Sequence, residues 1–190
     1  MKGTEMTARR LFVIAFATAL LAGFGCSNGD SGSPTGPTLA CVDGGAAPAD
    51  GVGMACAGAT AGTTEQVNVV LGGTTTGSTT LRGVNFDVTY DPTKLTFAPA
   101  ASYASTLFPN ALIGVTLYNG QEGRVVVSIQ QPGALPAVVV PAGQNVMLSL
   151  AFARVTGATF SSTSIAFENT EATTASATIT FASVLALSYQ

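Results

Sequence analysis

Short runs of alternating apolar and polar residues, divided by Gly, Pro, Asn and Asp, fill the chain from Gln66 to Gln190. The clearest run is Val84 to Tyr90, in which Val, Phe, Val and Tyr alternate with Asn, Asp and Thr. A period of two residues places successive side chains on opposite faces of a β-strand, so this run predicts a strand with one buried face. After residue 25 no window shows the 3.6-residue apolar spacing of an amphipathic helix. The body of the chain is therefore predicted to be all-β.

The number and spacing of these runs predict the architecture. We expect about nine short strands between residues 66 and 190. The clearest hairpin joins Leu112 to Tyr118 with Arg124 to Gln130 through the turn residues 119–123. Many short strands with one apolar face favour an antiparallel two-sheet sandwich of the jelly-roll or immunoglobulin-like type, and a closed barrel is the alternative.

The charge content excludes several classes of function. The 190 residues include seven Lys and Arg, ten Asp and Glu and no His, and the formal net charge is −3. Seven basic side chains are too few for the basic stripe of a nucleic-acid-binding protein. The absence of His excludes imidazole catalysis and His-ligated metals, and it leaves Ser and Thr without an imidazole base. The sequence therefore predicts a protein that is not an enzyme and that carries no cofactor.

The first 25 residues have the pattern of an export signal. Basic residues at positions 2, 9 and 10 precede an apolar run from Leu11 to Gly25. This run is shorter than the ~20 residues of a membrane-spanning helix, and small residues follow it where a signal peptidase would cut. The chain is therefore predicted to be exported.

The end of this signal, Leu21 to Cys26, resembles a bacterial lipoprotein signal, in which the Cys is acylated and becomes the first residue. Gly23 and Phe24 depart from the aliphatic and small residues of that pattern, whereas the Gly–Cys pair fits it. The resemblance implies a lipid on Cys26 as the membrane attachment. Ser27 in the next position favours the outer membrane or cell surface, and the alternatives are plain secretion and an uncleaved anchor.

Residues 26–65 are predicted to form a flexible tether before a body that spans residues 66–190. The stretch 27–37 contains only Ser, Asn, Gly, Asp, Thr and Pro, so it cannot bury enough apolar surface to fold. Cys41 and Cys56 lie within the tether, and two cysteines left over in an exported chain are predicted to pair with each other. Closing a loop of ~15 residues contributes about 3 kcal/mol in the chain-entropy description.

The segment Leu81 to Phe97 contains a strand that ends in Tyr-Asp-Pro at residues 90–92, with Leu95 after two further residues. This pattern resembles the signature of cohesin domains. The run Gly123 to Ile129 is similar to the middle strand of that family, and Gly143 to Phe152 is similar to its next element. The resemblance covers roughly residues 66–190 and implies a jelly-roll sandwich.

In cohesins one sheet face binds a calcium-loaded helical module, the dockerin, so the resemblance implies a protein partner, dockerin-like or other. The family's hydrogen-bonding Asn falls at Gly83, its Asp falls at Asn85, and an acidic residue after the middle strand falls near Gln131. Asn85 and Gln131 retain the capacity to form hydrogen bonds. The predicted partner-binding face consists of Gly83, Asn85, Asp87, Thr89 and Gln131.

The sequence is also compatible with two other functions. A polysaccharide ligand would stack on exposed aromatic side chains such as Tyr103, Phe108 and Tyr118, although packing in the core or in loops is the competing role for all three. A structural envelope lipoprotein would have no discrete ligand. Exposed coplanar aromatics would favour sugar, and a flat polar patch would favour protein.

Acidic side chains supply the only candidates for a metal site. Asp87, Asp91, Glu168 and Glu171 offer the oxygen ligands that Ca²⁺ prefers, but the chain has no DxDxDG loop. We therefore predict no metal site and keep Asp87 and Asp91 as the remaining calcium candidates. The pair Glu168 and Glu171 would suggest glycosidase chemistry only if the two carboxylates faced each other across a cleft.

Overall fold

The computed structural model describes residues 39–42, 46–57, 63–73, 80–173, 180–181 and 185–189. The predicted export signal and Cys26 lie outside these residues. None of the described residues belongs to a helix long and apolar enough to cross a membrane. The strands are, in chain order, β1 (Leu39–Val42), β2 (Gly51–Cys56), β3 (Thr64–Gly73), β4 (Thr80–Leu81), β5 (Gly83–Tyr90), β6 (Leu95–Phe97), β7 (Leu112–Leu117), β8 (Arg124–Gln130), β9 (Val138–Val139), β10 (Gly143–Arg154), β11 (Ser162–Thr173), β12 (Thr180–Phe181) and β13 (Leu185–Tyr189).

The strands form two large sheets and one small one. The six-stranded sheet has the order β1-β13-β11-β5-β8-β7, and the five-stranded sheet has the order β12-β2-β3-β10-β6. The third sheet pairs β4 with β9. All of these strand pairs are antiparallel except β12 with β2. The prediction of an all-β antiparallel sandwich is confirmed.

One apolar core fills the space between the two large sheets. The inward side chains of β5 and β3 are almost completely buried, because the two-residue alternation turns every second residue toward the opposite sheet. Each such side chain contributes on the order of 1.5–3 kcal/mol through burial. The core residues of these two strands include Val84, Phe86, Val88, Val67, Val69 and Leu71.

The hairpin predicted from the sequence is present between β7 and β8. A short 3-10 turn, Tyr118–Gly120, connects the strands. Asn119 and Gly120 have positive φ angles of 50° and 69°, which Asn and Gly adopt more readily than other residues. The turn residues in the sequence therefore mark the point at which the chain reverses.

The structure corrects the predicted boundary between tether and body at residue 66. Residues 39–42 and 51–56 form β1 and β2, which belong to the six-stranded and five-stranded sheets respectively. Leu39, Val52 and Met54 are at most 2% exposed in the core. These apolar residues are isolated among Gly, Ala and Asp in the sequence. They are nevertheless sufficient to hold β1 and β2 in the sandwich, because each of them is buried in the core.

The predicted disulfide is confirmed, and it joins the two large sheets. Cys41 on β1 is bonded to Cys56 on β2, with 5.6 Å between their Cα atoms. Both side chains pack against the core. Since β1 is the edge strand of its sheet, the bond attaches this edge to the opposite sheet.

Glu122, in the loop between β7 and β8, forms a second connection between the sheets. Its carboxylate accepts hydrogen bonds from the Tyr90 hydroxyl on β5, from the backbone N–H of Phe97 on β6 (3.1 Å) and from Thr96 Oγ1 (3.0 Å). Partial burial raises the pKa of the Glu122 carboxyl, but the hydrogen bonds from Tyr90, Phe97 and Thr96 outweigh it and lower the pKa overall. Burial, together with the bond to Glu122, raises the pKa of Tyr90 to about 12.

The Cys41–Cys56 bond gives a first testable prediction. We expect the double variant Cys41→Ser/Cys56→Ser to unfold with a free energy lower by about 3 kcal/mol, because the unfolded chain regains the freedom of a loop of about 15 residues. Denaturant titration monitored by circular dichroism measures the difference. Adding a reductant to the unmodified protein serves as the matched experiment, and an unchanged midpoint in both cases would contradict the assigned role.

The Glu122 connection predicts a dependence of stability on pH. The folded pKa is lower than the unfolded one, so ionised Glu122 stabilises the fold above about pH 4.3 and this contribution is lost as the pH falls further. We expect Glu122→Gln to lower the free energy of unfolding by about 1 kcal/mol at neutral pH and to flatten the acid limb of the stability curve. The control Glu171→Gln changes an exposed carboxylate and is expected to leave the curve as it is.

Candidate functional site

The outer face of the six-stranded sheet is polar where β5 lies between β8 and β11. On β5 the apolar residues face the core, so Asn85, Asp87 and Thr89 point to the outer face. On β8 the buried residues are Val125, Val127 and Ile129, which leaves the even-numbered residues on the outer face. We call the surface formed by the outward residues of β5, β8 and β11 the polar face.

Asn85 is the centre of a hydrogen-bond network on the polar face. Its Oδ1 atom accepts a hydrogen bond from Ser128 Oγ at 2.8 Å and another from Gln130 Nε2 at 3.0 Å. Both donors come from β8, so the network holds Asn85 in a fixed rotamer. Among the described residues no acceptor bonds to the Nδ2 group of Asn85, so this group can donate to a binding partner.

Gly83 contributes space to this face and no side chain. A Cβ atom at this position would lie 2.3 Å from the carbonyl oxygen of Ile129 and 2.6 Å from Oε1 of Gln130. The missing side chain therefore allows the amide of Gln130 to lie across β5 and reach Asn85. An Asn here, as in the cohesin pattern, would collide with the backbone of β8.

The structure places Gln130, rather than Gln131, in this network. Gln131 follows the last residue of β8, and its backbone N–H donates to the carbonyl of Arg82 at 2.6 Å. Its Oε1 atom is buried and has no hydrogen-bond partner among the described residues. Gln130 therefore contributes to the network although it was not predicted, and the place of Gln131 on the partner-binding face stays a prediction.

Arg124 connects three side chains at the other end of the polar face. Its Nε atom lies 3.4 Å from Oδ2 of Asp87, and its Nη2 atom is paired with Glu168 on β11. The guanidinium also lies over the ring of Tyr118, 5.2 Å from its centroid. The cation therefore sits between two carboxylates and an aromatic ring, an arrangement for which planar Arg is better suited than Lys.

A β-bulge in β11 completes the surroundings of Asp87. Glu168 lies opposite Asp87 and Glu171 lies opposite Asn85, so two residues of β11 face a single residue of β5 between them. One of the two is Asn169, which has a φ of 46° and donates from Nδ2 to Oδ2 of Asp87 at 2.8 Å. The bulge thus satisfies a carboxylate whose side chain is only 9% exposed.

The side chains of the polar face are held by hydrogen bonds and ion pairs, and the face carries an excess of negative charge. Of the charged groups named above, Asp87, Glu168 and Glu171 are acidic and Arg124 is basic. Thr89 is also held, since its Oγ1 atom donates to the carbonyl of Ala166 at 3.4 Å. A surface whose side chains are already positioned loses little conformational entropy when it binds a partner.

Asp87 and Asp91, the two calcium candidates, form hydrogen bonds and ion pairs with different residues. Asp87 is bonded to Arg124 and Asn169, whereas Asp91 accepts hydrogen bonds from the N–H of Thr93 at 2.9 Å and from its Oγ1 at 2.6 Å. The hydrogen bonds from Thr93, together with Lys94 at 3.2 Å, lower the pKa of Asp91. Within the described residues, no three His, Cys, Asp or Glu side chains are grouped so that they could hold a metal ion.

The aromatic candidates for sugar stacking do not form a common platform. Phe108 is 1% exposed and belongs to the core. Tyr103 is partly buried beside the five-stranded sheet, and its hydroxyl accepts from the N–H of Ala100 at 3.0 Å. Tyr118 is 48% exposed at the edge of the six-stranded sheet and is covered on one side by Arg124.

Glu168 and Glu171 both lie on the outer side of β11 and do not face each other across a cleft, as glycosidase chemistry would require. A groove with a volume of about 500 Å³ lies where β5 ends beside β11. It is lined mainly by hydroxyl groups and by one ion pair: Thr89, Tyr90, Ser162, Thr163, Ser164, Asp91 and Lys94.

Sequence reasoning identified the β5 residues of the polar face but not their partners on neighbouring strands. Arg124, Ser128 and Gln130 share one side of β8, which its alternation with three buried apolar residues would have revealed. Asn169 carried no comparable signal, because its role depends on the bulge.

Comparisons with known proteins identify the fold. No protein-family model matches the sequence, and no curated protein matches it. Among solved structures, the third cohesin of ScaC from Acetivibrio cellulolyticus, in complex with the ScaB dockerin, has a TM-score of 0.51 and 16% identity over 68% of this chain and 92% of that chain.

A second solved structure gives the same result. It is that of CaCohA2 in its complex with CaDoc0917, with a TM-score of 0.51 and 14% identity over 70% of this chain and 94% of that chain. The body of the chain therefore has a cohesin-like β-sandwich fold.

Proposed function

We propose that this protein is a non-catalytic docking module that binds a protein partner through the polar face. The observation that carries the proposal is the network of Asn85, Ser128 and Gln130 beside the cluster of Asp87 and Arg124. Together they present a surface of positioned donors and acceptors. The proposed module needs no cofactor.

The cohesins with the same fold support this proposal, because two of them were solved in complexes with dockerins. The polar face differs from the cohesin pattern in Gly83 and Asn85. It therefore favours a partner whose contacts are made to the amide of Asn85 and to acidic side chains. A polysaccharide remains the competing ligand, with the hydroxyl-lined groove beside β5 as its place to bind.

Two serines in equivalent settings allow a matched test of the polar face. Ser128 donates to Asn85 on the six-stranded sheet at 2.8 Å, and Ser149 donates to Asn68 on the five-stranded sheet at 2.6 Å. We expect the unmodified protein and Ser149→Arg to retain the same partner from the host's envelope and secreted fractions. Ser128→Arg is expected to lose at least tenfold in affinity, because the added side chain covers the Asn85 network.

The same experiment separates the alternatives. Retention that is lost on adding a calcium chelator points to a dockerin-like partner, since dockerins are calcium-loaded. Retention on insoluble polysaccharide without a protein partner would overturn the docking proposal. Equal loss in both arginine variants would place the contact elsewhere, and thermal melts confirm that each variant is folded.

We also propose that the module is held at the outer membrane or cell surface by a lipid on Cys26, a residue outside the described part of the chain. The export signal and the Gly–Cys pair at its end support this proposal. We expect Cys26→Ser to move the protein from the detergent phase to the aqueous phase in a detergent partition experiment. Mass spectrometry of the N-terminal peptide checks for the acyl chains, and equal partitioning of both forms would favour secretion.

A further inference from the structure

Strand β7 ends the six-stranded sheet at an edge with which no described strand pairs. It spans Leu112–Leu117 and pairs with β8 on one side. It is the last strand in the sheet order, so the backbone N–H and C=O groups on its other side are available for pairing. The chemistry of such an edge specifies an extended strand as its partner.

The other edges of the two large sheets are shorter or protected. Strand β1 has four residues and is attached by the disulfide, β6 has three residues and β12 has two. In contrast, β7 has six residues, with no charged residue, no Pro and no bulge among them. Charges, Pro and bulges are the devices by which exposed edges usually avoid pairing.

The residues of β7 that face the core are also incompletely covered. Ile113, Val115 and Leu117 are only partly buried, whereas the equivalent residues on β8 are fully buried. On the outer side, Leu112 is 71% exposed and Tyr118, directly after the strand, is 48% exposed. Both faces of this edge therefore leave apolar surface in contact with solvent.

We propose that two copies of the chain associate through antiparallel pairing of β7 with β7, centred on Val115. In this register Gly114 of one copy lies opposite Thr116 of the other, and Ile113 lies opposite Leu117. Even-numbered residues of both copies then lie on one side of the joined sheet and odd-numbered residues lie on the other, as pairing within a continuous sheet requires.

This register is self-complementary for the exposed apolar side chains. It brings Leu112 of each copy to Tyr118 of the other on the outer side, an aliphatic–aromatic cross-strand contact. Strand β7 has no charged residue, so no like charges meet in this pairing. A Cβ atom at Gly114 would meet nothing within 4 Å, so this part of the outer side is open to a neighbouring chain.

Pairing of this kind preserves the side of the sheet on which each residue lies. The two-fold axis is perpendicular to the sheet, so the polar faces of both copies point in the same direction. The pairing is independent of the docking proposal, because it uses the edge of the sheet rather than its face. A dimer would present two polar faces side by side.

The test uses the exported full chain carrying Cys26→Ser, so that a lipid does not cause association. We expect light scattering after size-exclusion chromatography to give twice the monomer mass at high concentration and the monomer mass on dilution. Leu112→Lys is expected to raise the dissociation constant of the dimer about tenfold or more. The added ammonium would lie near Arg124, which covers Tyr118 in the other copy.

Leu112→Glu is the matched variant, since it removes the same apolar side chain but brings the opposite charge to Arg124. Its dimer is expected to be tighter than that of Leu112→Lys. Val139→Lys changes another exposed apolar residue (56%) on a different sheet and should leave the dimer unchanged. The proposed register would be overturned if Leu112→Lys and Leu112→Glu raised the dissociation constant of the dimer equally. It would also be overturned if Val139→Lys weakened the dimer.

A cross-link locates the contact directly. In a mixture of one chain carrying Gly114→Cys with another carrying Thr116→Cys, oxidation is expected to give a disulfide-linked dimer that neither chain forms alone. A protein that stays monomeric at every concentration would overturn the proposal. A dimer of the mixed variants in which the two introduced cysteines do not form this disulfide would also overturn it.

Discussion

The two-residue alternation of β5, in the middle of the six-stranded sheet, is the constraint on which the rest of the structure depends. Its inward residues fill the centre of the core, so its outward residues must be polar. Because β5 pairs with β8 on one side and β11 on the other, those polar residues receive partners from both neighbours. A shift of one residue in either pairing would place Asn85 and Asp87 in the core, where an uncompensated carboxylate is strongly unfavourable.

The elements that the sequence predicted correctly are those determined by local pattern. The alternation of Val84 to Tyr90, the turn after β7 and the pairing of two leftover cysteines each depend on residues that are close in sequence or few in number. The resemblance to cohesins at residues 81–97 led to the same fold that the solved structures show. Gly83, which the resemblance placed on the partner-binding face, leaves space for the side chain of Gln130.

What the sequence left open depends on contacts between distant segments. β1 and β2 have compositions typical of linkers, and only the positions offered by neighbouring strands make Leu39 and Met54 core residues. Glu122 connects the sheets through Tyr90 and Phe97, a role that no local motif encodes. The same holds for Asn169, since the bulge that directs its side chain exists only when β11 is paired with β5.

The pairing of β1 with β13 has a consequence for the order of assembly. The first described strand lies beside the last one, so the six-stranded sheet cannot close until nearly the whole chain is available. Contacts between such distant segments form slowly, because a long loop must be ordered before they stabilise anything. The strand β1, which carries Cys41, therefore remains unpaired in its sheet until residues 185–189 have been made. The bond between Cys41 and Cys56 can form earlier, because it needs only β1 and β2, so the disulfide can hold β1 near the opposite sheet before its partner strand β13 arrives.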